Sequence, residues 1–80
     1  MILQNPVTNG FVTIENFAQI QEGTVQISIH DLTGRMVQQD SFLFGSEEKT
    51  IALHDLKSGV YILECRNGNF RQVEKLIVQQ

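Results

Sequence analysis

Two stretches of the chain echo each other: "IHDLTGRMV" at 29–37 and "LHDLKSGVY" at 53–61. Each sets a histidine beside an aspartate ahead of a turn-forming glycine, and between them they hold both histidines of the chain, His30 and His54. Imidazole and carboxylate together can ligate a metal or activate a nucleophile. A metal centre needs roughly three or four converging ligands. His30, Asp31, His54 and Asp55 offer the right atoms, but their spacing matches no zinc or EF-hand pattern. Alternation turns His30 away from the apolar residues of its own segment, toward solvent. Asp31 opens a turn, where a carboxylate accepts local backbone N–H groups. Nucleophilic catalysis needs a serine or cysteine beside a base that a third group orients. Ser28, Ser41, Ser46 and Ser58 carry hydroxyls, yet none sits in a Gly-x-Ser-x-Gly elbow. The glycines are scattered through turns, so no phosphate cradle is expected. The single cysteine, Cys65, lies in the apolar run "GVYILEC" and reads as a small buried side chain. No enzyme activity, metal or cofactor is expected.

The elements that hold these residues are strands. Eighty residues make one domain, spanning 1–80. A chain of that length buries roughly 60% of its unfolded surface, enough to fold with little margin. The hydrophobic fraction of 41% is ordinary, and the charged fraction of 19% argues against a disordered tail. Nine acids against six bases give a net charge of −3 with no basic run, which excludes a nucleic-acid footprint. No apolar run is long enough for a membrane-spanning helix, and the opening "MILQNPV" does not read as a signal peptide. A leading Met directly before strand-like sequence reads as the start of a piece taken from a larger secreted protein, with 1–4 as linker.

Period-two patterning recurs along the chain. "FVTIEN" at 11–16 puts Val12 and Ile14 on one face. "TVQISIH" at 24–30 turns Val25, Ile27 and Ile29 inward and Gln26, Ser28 and His30 outward. Val37 is the inward candidate of "RMVQQDSF" at 35–42, and Ile51 and Leu53 share a face in "KTIALH" at 49–54. "GVYILECR" at 59–66 is apolar on both faces, as in a central strand. "FRQVEKLIVQ" at 70–79 changes phase, and a bulge near Glu74-Lys75 would reconcile its halves. "ILQN" before Pro6 is expected to be a first strand. Asn67-Gly68 is expected to turn a type I′ hairpin, Asp31 to Gly34 a type I turn, and Gly45-Ser46 a bend. Residues 55–58 allow at most one 3₁₀ turn. Six or seven strands recurring every 8–12 residues fit an all-β sandwich or barrel. Phe42 and Phe44 are either an end plug of the core or an exposed patch.

Four anchors stand in order: "NPVTNGFVTI" at 5–14, "ISIHDLTGRMV" at 27–37, "TIALHDLKSGVYILEC" at 50–65 and "KLIVQQ" at 75–80. Together they resemble the type IX secretion C-terminal sorting domain, found at the carboxyl end of many proteins exported by Bacteroidetes. The matching positions are Asn5, Pro6 and Val7; Asp31, Gly34, Arg35 and Val37; Leu56, Gly59, Val60 and Tyr61; and Lys75, Leu76 and Val78. The family often carries an aromatic residue and a proline before Asn-Pro, where this chain has Leu3-Gln4. His30 stands where the family commonly has tyrosine or phenylalanine, and His54 where it usually has serine or another polar residue.

The resemblance implies an immunoglobulin-like, seven-stranded antiparallel β-sandwich that serves as an address label. An outer-membrane type IX translocon would read the label and carry an N-terminal cargo from the periplasm to the cell surface or beyond. A sortase-like surface peptidase usually removes the label afterwards. Neither nucleic acid nor membrane insertion is implied. The alternative is an adhesive or carbohydrate-binding sandwich that stays on the mature surface protein.

Overall fold

The computed structural model describes residues 6–15, 23–43 and 48–79. They contain six strands: β1 (Phe11–Glu15), β2 (Thr24–His30), β3 (Met36–Leu43), β4 (Glu48–Ala52), β5 (Gly59–Asn67) and β6 (Phe70–Val78). β1 pairs with β4, and a second antiparallel sheet runs β3-β2-β5-β6. The all-β expectation holds. A parallel bridge adds Val7 beside Val78, on the side of β6 away from β5. The expected strand at 2–5, Asn5, Phe44 and the bend at Gly45-Ser46 lie outside the described residues.

Alternation makes the core. Val12, Ile14 and Ile51 of the small sheet share one buried cluster with Val25, Ile27, Ile29, Leu63, Cys65, Leu76 and Val78 of the large one. Burying each large aliphatic side chain is worth about 1.5–3 kcal/mol, so these positions dominate the favourable side of folding. Phe42 packs against the cluster, and the Lys49 ammonium stands 5.2 Å from its ring centroid, linking β3 to β4. Phe42 is thus a plug for the core's edge.

Several expectations need correction. β6 has no bulge: its register with β5 is unbroken from Gly59↔Val78 to Asn67↔Phe70. Val73 and Ile77 simply occupy the outer face while Leu76 and Val78 point into the core. β5 is central by pairing, but its outer face stays partly open, with Val60 39% exposed. Ser28 faces outward as alternation requires, yet it is buried, being shorter than its register partners Gln39 and Glu64. The irregularity of the sheet lies instead in β3. Ile29 faces Gln38 and His30 faces Met36, so Val37 is the extra residue of a bulge. Val37 still packs on the core, but Gln38 takes the fully inward position.

The last hairpin turns on Gly68 and Asn69, because Asn67 already pairs with Phe70. Only Gly68 of the two has positive φ, at 59°, which is the type II′ pattern rather than I′. Residues 53–58 make no 3₁₀ turn; they cross irregularly from β4 to β5 through Asp55 at φ 58°.

Candidate functional site

The hairpin between β2 and β3 is built around one carboxylate. The Gly34 N–H donates to the Asp31 carbonyl at 3.0 Å, closing the expected type I turn, and the Asp31 N–H donates to the Arg35 carbonyl at 2.9 Å. Gly34 stands at φ 93°, a left-handed conformation that closes a type I turn into an antiparallel pair and that a β-carbon resists. Asp31 Oδ1 accepts from the Thr33 hydroxyl at 2.6 Å and from the backbone N–H groups of Thr33 and Arg35 at 3.0 Å each. Its other oxygen, Oδ2, lies 3.4 Å from Arg35 Nε, an ion pair across the turn. The Thr33 hydroxyl bond is the main reason this carboxyl sits below the usual aspartate range; burial opposes it, and the two N–H donors and the Arg35 charge lower it further.

Opposite this hairpin lies the crossing segment 53–58. The Leu53 N–H donates to the Gly10 carbonyl at 2.8 Å, which ties the segment to the start of β1. Leu56 drops into the core. The half-buried ring of Tyr61 packs on that core, and its hydroxyl donates back to the Lys57 carbonyl at 2.7 Å. Gly59, Val60 and Tyr61 then pair with Val78, Ile77 and Leu76 of β6. On the far side of β6, the Val7 N–H donates to the Ile77 carbonyl at 2.7 Å and the Gln79 N–H to the Val7 carbonyl at 2.8 Å.

The motif positions therefore come together. Val7, the 31–37 hairpin, Leu56 to Tyr61, and Leu76 to Val78 all lie at one end of the four-stranded sheet, away from the Gly68-Asn69 turn. A groove of about 490 Å³ opens there, lined by Asp31, Arg35, Val37, Leu56, Lys57 and Tyr61 among others. The motif residues divide into two kinds. Val7, Leu56, Leu76 and Val78 are buried, and Val37 and Tyr61 pack on the same core. Pro6, Gly34, Arg35, Gly59, Val60 and Lys75 are exposed, Arg35 with 78% of its side chain accessible.

The two His-Asp pairs meet here without forming a catalytic unit. His54 and Asp55 line the groove just described, whereas His30 lies on the outer face of the sheet in a separate groove, with Asp31 between them. Among the described residues, no group of three or more His, Cys, Asp or Glu side chains could hold a metal ion. Cys65 is buried, and burial pushes its thiol pKa up, which disfavours the reactive thiolate.

Sequence reasoning missed Gln38. Only 8% exposed, it donates from Nε2 to the Ala52 carbonyl and to Asp40 Oδ2, both at 2.8 Å, and accepts at Oε1 from the His54 N–H at 2.9 Å. One signal could have found it: Phe42, Asp40 and Gln38 share a period-two phase.

These features define a small all-β domain whose motif residues shape one end of a sheet. Residues 4–79 match the sequence profile of the secretion system C-terminal sorting domain, and the chain belongs to that family. It is a secretion sorting signal of the type IX system, directing a cargo protein to the cell surface or the extracellular space. The family is not an enzyme class. No curated protein and no solved structure matches the chain.

Proposed function

We propose that the end of the sheet bearing the motifs is the part of the label read during export. The convergence of all four sequence motifs on that one end carries this reading. In it, the buried motif residues hold the end in shape, while Arg35, Val60 and Lys75 present it. Pro6 belongs to the entry into the Val7 bridge. The reader is an outer-membrane type IX translocon, which takes the cargo from the periplasm across the outer membrane. A sortase-like surface peptidase then detaches the label. The domain itself performs no catalysis.

The same reading completes the fold as an immunoglobulin-like sandwich of seven strands, with the Val7 segment as the seventh beside β6. Tyr61 supports it: a tyrosine near the start of a strand, bonded through its hydroxyl to a carbonyl a few residues upstream, is the tyrosine corner of immunoglobulin-like domains.

The test fuses residues 1–80 behind a reporter in a host that has this export system. The expected result is reporter on the cell surface with the fused domain removed. Arg35→Ala should keep the fold and lower surface delivery. Reporter retained in the periplasm, or delivered equally well after deletion of the domain, would overturn the reading.

A further inference from the structure

We propose that Asn9 is a site of spontaneous modification: its side chain cyclises onto the Gly10 nitrogen and opens to aspartate or isoaspartate, which loosens the tie between the Val7 segment and β6. The inference goes beyond the sorting role, and its test does not depend on export.

The chain has two Asn-Gly pairs, Asn9-Gly10 and Asn67-Gly68; its other asparagines precede Pro6, Phe17 and Phe70. Glycine favours cyclisation because no β-carbon shields the attacking nitrogen. The fold separates the two pairs. Asn67 is half-buried, and its side-chain NH2 donates to the Thr24 carbonyl at 2.9 Å. Losing that NH2 as ammonia would break a bond to β2. The Asn67 backbone is also fixed, since it pairs with Phe70 at the end of the β5-β6 ladder. Asn9 is exposed, and among the described residues nothing accepts from its NH2. Gly10 has open space where a β-carbon would stand, and its N–H donates to no described residue.

The hydrogen bond of the Asn9 side chain favours the reaction. Asn9 Oδ1 accepts from the Phe11 N–H at 3.2 Å, which folds the side chain back along the Asn9-Gly10 peptide. Negative charge develops on Oδ1 when Cγ is attacked, and the Phe11 N–H already points at it. The Gly10 nitrogen gives its proton to base and bonds to Cγ. The Cγ–Nδ2 bond then breaks, and ammonia leaves with a proton returned from solvent. Water opens the resulting succinimide at either carbonyl, and no oxidant or reductant is needed. One product is aspartate. The other is isoaspartate, whose backbone runs through Cβ and is one carbon longer. That carbon enters a span held at both ends. Val7 bonds to Ile77 and Gln79, and Gly10 accepts from the Leu53 N–H. Both ends cannot keep their bonds unstrained across the longer span.

The experiment holds the purified 80-residue chain folded in mildly alkaline buffer, with a second sample in urea, and follows both by peptide mapping and mass spectrometry. In the folded chain, conversion at Asn9 should outrun conversion at Asn67 severalfold, with both aspartate and isoaspartate formed. In urea the two sites should converge, because the protection of Asn67 belongs to the fold. Asn9→Gln should abolish conversion at position 9, and Asn67→Gln should leave the Asn9 rate unchanged. In the isoaspartate form, hydrogen exchange should rise at the Leu53 and Gln79 amides more than at those of Leu63 and Cys65. Equal rates at the two sites in the folded chain would overturn the proposal. So would an Asn9 that stays intact when folded and converts only in urea. Unchanged exchange at Leu53 and Gln79 would overturn the loosening of the tie. Failure of export by a wild-type fusion would count against the sorting role and leave this chemistry standing.

Discussion

Gln38 and His54 are joined across the two sheets: the backbone N–H of His54, just past the end of β4, donates to the Gln38 side chain of β3 at 2.9 Å. The same side-chain amide donates to the Ala52 carbonyl at 2.8 Å. One buried residue thus satisfies a donor and an acceptor on a strand end that has left its own sheet. Replacing Gln38 by leucine keeps the volume but strips both partners. Ala52 and His54 are themselves exposed, so water replaces part of what is lost. With two hydrogen bonds each worth about 0.5–1.5 kcal/mol net, Gln38→Leu should destabilise the domain by roughly 1–3 kcal/mol in urea unfolding. Gln38→Glu keeps an acceptor for His54 but sets a carboxylate against Asp40 Oδ2 and the Ala52 carbonyl, so at neutral pH it should be at least as destabilising as leucine. Leucine as stable as wild type would show that the clamp contributes nothing.

Gln38 also marks the limit of what patterning reveals. Val25, Ile27 and Ile29 advertise β2 because burial selects apolar side chains at every second position. Gln38 in β3 carries only its period-two phase with Phe42 as a signal, and the backbone it satisfies comes from a different sheet. The apolar residues of β6 misled for the opposite reason. Val73 and Ile77 suggested a phase change, yet both sit on an outer face that carries several exposed apolar side chains. The motif residues were legible one by one. Their meeting was not, because Val7 and Val78 pair from opposite ends of the chain and no local rule links them.

The Asp31 turn makes stability depend on pH with a definite sign. Its carboxyl is held low in the folded state, mainly by the Thr33 hydroxyl, so the unfolded chain binds the proton more readily. The turn's contribution is therefore complete above the unfolded value of about 3.9 and is lost as pH falls through the lower folded value. An NMR titration should find the Asp31 carboxyl below the ordinary range. Thr33→Val should move it upward and shrink the acid-dependent part of the stability. An unchanged titration in Thr33→Val would show that the hydroxyl bond is not the main cause.

Tyr61→Phe keeps the ring on the core and deletes the bond to the Lys57 carbonyl. The expected loss is about 0.5–1.5 kcal/mol in chemical denaturation, with hydrogen exchange at the start of β5 rising more than at its Asn67 end. A uniform rise in exchange would mean that the hydroxyl serves the whole fold and does not pin the crossing locally.

The histidines should prove the most replaceable letters of the two echoing stretches. His54 contributes its backbone N–H to Gln38, and that bond survives any side chain at 54. His30 lies on the outer sheet face, where its ring lines a groove without belonging to the core. His30→Tyr and His54→Ser should therefore each change stability by no more than about 0.5 kcal/mol, as substitutions outside a packed network do. Surface delivery of a fused reporter should be unchanged in both. The adjacent aspartates should behave differently, because Asp31 organises its turn and Asp55 holds a left-handed backbone at φ 58°. Asp55→Gly should therefore be tolerated, and Asp55→Val should destabilise through its β-branched side chain. Loss of export on changing either histidine, with the fold intact, would restore the His-Asp pairs as functional groups and displace their reading as the boundaries between strands.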